Sequence, residues 1–329
     1  MTHFNLTIAE EMQLFQRETH CNLTIGEEVR VFQMVTAIPT FVLGVLVNSA
    51  VLVLFCRQWR NCSDMMVYLT NLALADICVL VSLPFRMYSY QNPWPFSISS
   101  CLVFVSTYFV NMYVSIFTTV AISVVRYVAV KYPFKAHAVM SPWKALVVCV
   151  SIWAVIASLS ATFHSVDKPQ GNSSENSPSF KCFQKNSNRP LPLSFILTLD
   201  VVGYMLPFVI ITYCSVMVIR TLSRRTDSEG DSTQKSKSVN IITANLAIFI
   251  VCFSPLHFGY LFKFLCETYS KNCALKQFAH SFVHVANSLA STNCFLDAFS
   301  YYFLARGSWG TVNDACCGTQ HRETVNTVI

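Results

Sequence analysis

Charged residues are scarce in this chain of 329 residues. They make up 12% of the sequence and hydrophobic residues 53%, whereas soluble domains carry about 25% charged residues. The count of only nine glycines excludes a glycine-rich fibrous or disordered chain. The net charge of +6 does not predict nucleic-acid binding, because the basic residues cluster at the ends of apolar segments. So little charge indicates a chain that lies in lipid.

Seven long apolar stretches follow one another along the chain. A helix needs about 20 mostly apolar residues to cross a bilayer. The stretches lie at approximately 31–56, 65–90, 100–125, 145–165, 193–219, 239–264 and 277–304. We therefore predict an all-α protein, a seven-transmembrane helix bundle at 31–304, between an extracellular tail at 1–30 and a short cytosolic tail at 305–329.

Lysine and arginine in the short loops predict the orientation of the bundle. The loops at 57–64, 126–144 and 220–238 contain basic residues, whereas the loop at 88–99 contains none. The loop at 164–192 also carries basic residues, but long loops count less than short ones in predicting orientation. We expect the N-terminus outside and the C-terminus in the cytosol.

The N-terminal tail and the outer loops show features of an extracellular environment. Residues 1–30 lack the apolar core of a signal peptide, so we expect the first helix to act as its own insertion signal. Glycosylation sequons begin at Asn5, Asn22 and Asn172, all on the predicted outer side. These features predict a glycosylated, multi-pass protein of the plasma membrane.

Five cysteines fall on the predicted outer side, where disulfides persist. They are Cys21, Cys101, Cys182, Cys266 and Cys273. We expect Cys101 to pair with Cys182 and Cys21 to pair with Cys273. Cys266 could replace Cys273, because spacing alone does not decide the pairing.

Three acids lie inside the apolar stretches, and an ionisable residue at that depth predicts function. They are Asp76, Asp200 and Asp297. Three further polar residues accompany them in the spans: Asn48, Ser115 and Asn293. Asp200 is not expected to join the others. The remaining five side chains would satisfy one another in a shared cluster that holds water or a Na⁺ ion, and Asp76 is the expected Na⁺ ligand. A structural hydrogen-bond network without an ion is the alternative.

Sequence markers occur in order on the seven spans. They are Asn48, Asn71-Leu-Ala-Leu-Ala-Asp76, Val125-Arg126-Tyr127, Trp153, Pro207, Phe253-Ser-Pro255 and Asp297-Ala-Phe-Ser-Tyr301. With these markers the chain resembles the rhodopsin-like (class A) G-protein-coupled receptors over essentially all of residues 30–304. The resemblance implies a receptor, not an enzyme, that signals to a heterotrimeric G protein and binds arrestin. No cofactor is expected apart from Na⁺ as an allosteric ion.

The resemblance also implies which residues switch the receptor. Arg126, followed by Tyr127, would contact the G protein when helix 6 swings outward, and a basic anchor at the membrane interface is its alternative role. Pro255 removes a backbone hydrogen bond and kinks helix 6. Phe253 beside the kink would act as a toggle, unless it only packs in the core, and Tyr301 would belong to the same switch.

The chain departs from the family pattern at several switch positions. Val125 occupies the position of an acid that usually restrains Arg126, so we expect a weaker inactive state and raised basal signalling. Ala298 replaces a proline of helix 7, and Ser215 replaces a tyrosine that is frequent in helix 5.

The outer halves of the helices indicate the kind of ligand. Tyr108 occupies the position of the acid of amine receptors, and Ser291 replaces the lysine of opsins, so neither an amine nor retinal is expected. Basic groups occur there instead: Arg86, His164, His257, Lys263, His280 and His284. Charge-assisted donors of this kind predict an anionic ligand. Snorkelling to lipid head groups is the alternative for Arg86 and Lys263, and each histidine could be a satisfied polar residue.

Aromatic and aliphatic residues would line the rest of the pocket, including Tyr108, Phe109, Met112, Tyr113, Phe253 and Tyr260. This combination suits an amphiphile with an acidic head. Asp200 could pair with His257, set ligand specificity, or be a protonated structural carboxyl.

Three strings narrow the resemblance to one branch of the family. They are Ser82-Leu-Pro-Phe-Arg86, Phe253-Ser-Pro-Leu-His257 and Leu296-Asp297-Ala-Phe-Ser-Tyr-Tyr-Phe303. They are similar to the branch of the lysophosphatidylinositol receptor and the kynurenate receptor, near other lysophospholipid and nucleotide receptors. The implied ligand is a lysophospholipid such as lysophosphatidylinositol or a small aromatic acid, with a nucleotide or another acidic ligand as the alternative. The implied partner is G12/13 or Gi.

The predicted cytosolic tail contains candidate lipidation sites. The adjacent Cys316 and Cys317 of the cytosolic tail are expected palmitoylation sites.

A membrane transporter is the alternative class of multi-pass protein. It would require inverted repeats or broken spans in matching halves. Seven spans with unrelated halves do not favour it.

Overall fold

The protein forms a bundle of seven long helices. The computed structural model describes residues 21, 23–57, 63–134, 136, 140–166, 182–183, 193–224 and 231–298. In order, the helices are α1 (Glu27–Arg57), α2 (Asp64–Gln91), α3 (Ile98–Lys131), α4 (Pro142–Val166), α5 (Leu193–Arg224), α6 (Asp231–Tyr269) and α7 (Cys273–Ser291). After a turn at Thr292, residues 293–298 are again helical. No β-strand occurs in this described part of the chain, and the predicted all-α bundle is confirmed.

Length and composition allow helices α1 to α6 to cross a membrane. Each of them contains the corresponding predicted apolar stretch. Two extend well beyond it on the predicted cytosolic side, because α3 continues to Lys131 and α6 begins at Asp231. The sequence predicted only the apolar part, since hydropathy does not report helix that continues into polar surroundings.

Side-chain caps fix where several helices begin. The Ser63 hydroxyl accepts a hydrogen bond of 3.3 Å from the Met66 amide at the start of α2. Ser97 does the same for α3 through the Ser100 amide. Such caps satisfy backbone donors that the first turn of a helix leaves unpaired.

Helix α3 lies at the centre of the bundle and packs against α2, α4 and α5. Helix α7 closes the bundle by packing against both α6 and α1. Buried apolar side chains from α2, α3 and α6 form the core, among them Leu80, Val114, Ile116, Phe249 and Leu256. This packing brings the outer halves of α2, α3, α6 and α7 around one space.

Helix α5 is not a regular α-helix over its whole length. Between an α-helical first turn, Leu193–Leu197, and an α-helical second half, Leu206–Arg224, residues Thr198–Met205 form a π-helical segment. Pro207 follows two residues after this segment, and its missing amide cannot donate to the carbonyl one turn earlier. Wide turns of this kind are rare and occur frequently at functional sites.

Two disulfides hold the outer surface. Cys101 at the start of α3 is bonded to Cys182, with a Cα–Cα distance of 5.6 Å. Cys21 is bonded to Cys273 at the start of α7, with a Cα–Cα distance of 5.5 Å. Both predicted pairings are therefore confirmed, and Cys266 is a buried free thiol. Next to Cys182, Phe183 has a φ of 63° and packs on the ring of Trp94.

Candidate functional site

Arg86 lies inside the bundle and not at its surface. The residue is 3% exposed. Its guanidinium lies 4.7 Å from the centroid of the Tyr108 ring and 5.8 Å from that of Tyr90, and its Nη1 donates to the Ser291 hydroxyl at 3.4 Å. Among the described residues, no carboxylate lies within 4 Å of this guanidinium. Pro84 precedes Arg86 by two residues within α2.

Tyr108 joins α3 to α7 directly beside Arg86. Its hydroxyl donates to Asn287 Oδ1 at 2.6 Å and lies 3.0 Å from the Ser291 hydroxyl. Ser291 in turn donates to the Asn287 carbonyl at 2.9 Å. The polar groups next to the Arg86 guanidinium are thus hydroxyl and amide groups, none of which carries a negative charge.

A second polar centre lies between α5 and α6. His257 Nδ1 is 3.1 Å from Asp200 Oδ1, and the two side chains are 2% and 14% exposed. The His257 ring stacks on Tyr204 at a centroid distance of 4.7 Å and meets Tyr113 and Tyr260 edge-on. Asp200 and Tyr204 belong to the π-helical segment of α5. The structure therefore shows the Asp200–His257 pairing that the sequence left as one of three alternatives.

The remaining cationic candidates lie at the outer ends of α6 and α7. The His280 and His284 rings are 4.7 Å apart on successive turns of α7. Lys263 lies 3.6 Å from Glu267 on α6. His284 is close enough to interact electrostatically with His280, Lys263 and Arg86. These groups lie on the same side of the bundle as Arg86, and Glu267 offsets the charge of Lys263.

Met112 and Tyr260, both predicted to line the pocket, lie inside the bundle. Met112 is 6% exposed and belongs to the central core with Tyr108 and Phe253. The Tyr260 ring meets the His257 ring edge-on at a centroid distance of 6.1 Å. Tyr260 therefore borders the Asp200–His257 centre.

The polar cluster in the middle of the bundle is assembled as predicted from residues of four helices. All five members are at most 4% exposed: Asn48, Asp76, Ser115, Asn293 and Asp297. The Asn293 amide donates to Asp297 Oδ2 at 2.8 Å and to the Ser115 hydroxyl at 3.5 Å. Asp76 interacts with the Cys294 thiol and with Asp297. Two acids thus share one enclosed space.

Oxygen atoms in this cluster are left without partners. Within the described residues, Asp76 Oδ2 and Asn48 Oδ1 are buried and accept no hydrogen bond. An unsatisfied buried oxygen is costly, and carboxylate, amide and hydroxyl oxygens suit a hard cation. The oxygen atoms of this cluster therefore fit a Na⁺ ion. In the described part of the chain, no group of three His, Cys, Asp or Glu side chains could hold another metal ion.

At the other end of α3, Arg126 borders a cleft between α3, α5 and α6. Ser215 of α5 and Asn245 of α6 line the same cleft. Tyr127 packs against Tyr213 of α5 at 5.8 Å, and its hydroxyl accepts a hydrogen bond of 3.0 Å from Lys131. The small Ser215 leaves room beside Arg126 that a tyrosine would occupy.

Phe253 and Pro255 lie in the middle of α6, next to the core. Phe253 is 2% exposed and its ring lies 5.3 Å from that of Phe249. Pro255 lies within the helix, where it removes one backbone hydrogen bond. Phe253 thus lies between the Asp200–His257 pair on the outer side and the cleft on the other side.

The sequence model of the family described as 7 transmembrane receptor (rhodopsin family) matches residues 47–301 of this chain. This chain belongs to the rhodopsin family of seven-transmembrane receptors. It is a multi-pass receptor of the plasma membrane that signals through heterotrimeric G proteins, and it is not an enzyme.

Several named receptors are similar to this one over most of their length. G-protein coupled receptor 35 of Mus musculus is 33% identical over 269 residues, which are 80% of this chain and 82% of the relative. G-protein coupled receptor 55 of Homo sapiens is 32% identical over 278 residues, with 82% and 83% covered. Lysophosphatidic acid receptor 4 of Mus musculus is 32% identical over 270 residues, with 80% and 71% covered. These similarities agree with the branch that the sequence motifs indicated.

Some of the predicted sites of this receptor lie outside the described residues. They are Asn5, Asn22, Asn172, Tyr301, Cys316, Cys317 and the side chain of His164. The roles predicted for them remain predictions.

Two residues of the outer site were not identified from the sequence. Asn287 accepts from Tyr108, and Tyr90 lies against Arg86. Asn287 lies one turn before Ser291 on α7, so helical spacing from Ser291 could have indicated it. Tyr90 lies one turn after Arg86 on α2, and the same spacing applies.

Proposed function

We propose that this receptor responds to an anionic amphiphile or small acid that binds in the outer half of the bundle, with its acidic group at Arg86. The observation that carries the proposal is the buried Arg86 guanidinium, which faces tyrosine rings and hydroxyl groups. A buried charge without a counter-charge is destabilising. An acidic ligand group would supply that counter-charge and form charge-assisted hydrogen bonds.

The surroundings of Arg86 favour this interpretation over snorkelling. A snorkelling side chain extends along the lipid-facing surface towards the head groups. Arg86 instead contacts Tyr108 of the central helix and Ser291 of α7, and it is almost fully buried.

A lysophospholipid is the first candidate for the ligand. Lysophosphatidic acid receptor 4, one of the relatives described above, is named for a lysophospholipid. The pocket of this receptor combines a cation with aromatic and aliphatic side chains, which suits such a molecule. A small aromatic acid such as those implied by the family branch is the second candidate.

The signal would pass through the polar cluster to the cytosolic end of α3. Na⁺ at Asp76 would stabilise the inactive packing, and agonist would favour release of the ion and outward movement of α6 at Pro255. Arg126 and Tyr127 would then contact the G protein, G12/13 or Gi, and arrestin would bind at the same end. This scheme takes the N-terminus as extracellular, as the basic loops predict.

The test is G-protein dissociation in cells that are exposed to a panel of lysophospholipids and aromatic acids. Arg86→Ala should lower agonist potency by tenfold or more, because the charge-assisted contacts are lost. Arg126→Ala should retain binding of the agonist but lose coupling. Lys271→Ala, which removes an exposed cation between α6 and α7, is the matched control. Unchanged potency in Arg86→Ala, at equal surface expression, would refute the assignment of the anion site.

A further inference from the structure

The Asp200–His257 centre contains polar atoms that nothing in the described part of the receptor satisfies. The Tyr113 hydroxyl, the Tyr260 hydroxyl and His257 Nε2 are buried and have no hydrogen-bond partner there. Tyr113 and His257 are 6% and 2% exposed. A buried donor or acceptor that stays unpaired is destabilising, so three such atoms on neighbouring rings indicate a missing partner.

The rings that carry these atoms are neighbours. The centroid of the His257 ring is 6.0 Å from that of Tyr113 and 6.1 Å from that of Tyr260, and both tyrosines meet the imidazole edge-on. Gly203, in the π-helical segment, allows Tyr113 to pack on the α5 backbone, since a Cβ at this position would lie 2.7 Å from Tyr113 Cε1.

The hydrogen-bonding pattern determines what this space can accept. When the carboxylate of Asp200 accepts a hydrogen bond from Nδ1 of a neutral His257, the imidazole presents Nε2 as an acceptor. The two phenol hydroxyls can each donate or accept. Asp200 disfavours a second anion here. The protein thus offers one acceptor and two hydroxyls that donate or accept. Neutral hydroxyl groups of a ligand, which also donate and accept, would pair with all three.

We propose that Tyr113, His257 and Tyr260 form a second subsite, which binds hydroxyl groups of the ligand's head group. This inference rests on the proposed function, because Arg86 would hold the acidic group of the same molecule. Tyr260 belongs to this subsite through its edge-on contact with the His257 ring. The ligand class is therefore an anionic lipid or small acid with a polyol or sugar group, and a bare phosphate would leave this subsite to water.

Two lysolipids with the same acyl chain test the proposal: lysophosphatidylinositol, which carries a ring of hydroxyls, and lysophosphatidic acid, which carries only the phosphate and the glycerol hydroxyl. Tyr113→Phe and Tyr260→Phe each remove one oxygen and keep the ring. Each should lower the potency of lysophosphatidylinositol about tenfold and change that of lysophosphatidic acid by less than about twofold. Tyr269→Phe, at a 75% exposed position at the end of α6, is the control.

The outcomes separate this inference from the proposed function. Equal changes for both lysolipids, or none for either, with Arg86→Ala still impaired, would overturn the hydroxyl subsite and leave the anion site standing. A wild-type receptor that responds to neither lysolipid would overturn both as a description of lysolipid recognition. Surface expression measured with an N-terminal epitope tag, together with binding of the lysolipids to the purified variants, excludes a loss of folding as the cause.

Discussion

Asn48 of α1 donates a hydrogen bond of 2.8 Å to the backbone carbonyl of Cys294, in the helical segment that follows α7. This bond ties the first helix to the last at the level of the polar cluster. Asp76 of α2 reaches the same residue through the Cys294 thiol. Cys294 therefore belongs to the connection between three helices at the position where the cluster holds its two acids.

Removing the carboxylate of Asp76 should abolish the effect of sodium on the receptor. We expect agonist potency of the wild type to fall when NaCl replaces an equal concentration of N-methyl-glucamine chloride, because Na⁺ favours the inactive packing. In Asp76→Asn this dependence should disappear, and in Asp200→Asn it should remain, since Asp200 lies outside the cluster. A sodium effect that persists in Asp76→Asn would exclude this carboxylate as the ligand.

Introducing an acid beside Arg126 should lower basal signalling. Val125 is partly buried and packs against the apolar cluster at the cytosolic end of α2 and α3. Val125→Asp would place a carboxylate next to the guanidinium and stabilise the inactive state. We expect a reduction of agonist-independent G-protein dissociation by severalfold at equal surface expression. Val125→Asn, which is similar in size but uncharged, is the control, and an equal reduction by both variants would contradict the ionic explanation.

Filling the space at Gly203 should destabilise the receptor. A Cβ there would lie 2.7 Å from a ring carbon of Tyr113, so Gly203→Ala forces a shift of the tyrosine or of α5. Overpacking of this kind costs about 1–3 kcal/mol, and we expect a lower melting temperature of the purified receptor. Gly26→Ala, where nothing lies within 4 Å of the added atom, should have no such effect. Equal melting temperatures for the two variants would show that Tyr113 moves at no cost.

Breaking the disulfide of the N-terminal tail should loosen the outer end of α7. The double variant Cys21→Ser, Cys273→Ser removes a cross-link between residues 252 positions apart in the sequence. A disulfide typically contributes about 2–4 kcal/mol, so the melting temperature should fall and agonist potency should fall with it. Cys56→Ser, which alters an exposed free thiol, provides the comparison. Unchanged stability of the double variant would show that the tail is held by its other contacts, such as Thr24 with Gln277.

The spans and the polar cluster could be predicted from the sequence for one physical reason. A residue such as Asp76 or Asn48 is rare in an apolar stretch, and lipid offers it no partner, so it must face the bundle interior. The disulfides were predictable for a similar reason, since few cysteines lie on the outer side. Only the choice between Cys266 and Cys273 required the structure.

The geometry of the outer site could not be predicted in the same way. Asp200 and His257 are far apart in the sequence, and their contact depends on the π-helical segment of α5. Gly203 and Pro207 are compatible with a regular kinked helix as well as with a π-helical turn, so they do not specify the register. The number of unpartnered atoms around His257 likewise depends on side-chain positions that no spacing rule gives.

The bond between Cys21 and Cys273 gives the N-terminal tail a mechanical connection to α7. This helix carries Asn287 and Ser291 and continues to Asn293 and Asp297. A displacement of Cys21 is therefore transmitted through the disulfide to the helix that leads to the polar cluster. Reduction of this disulfide would remove that covalent connection.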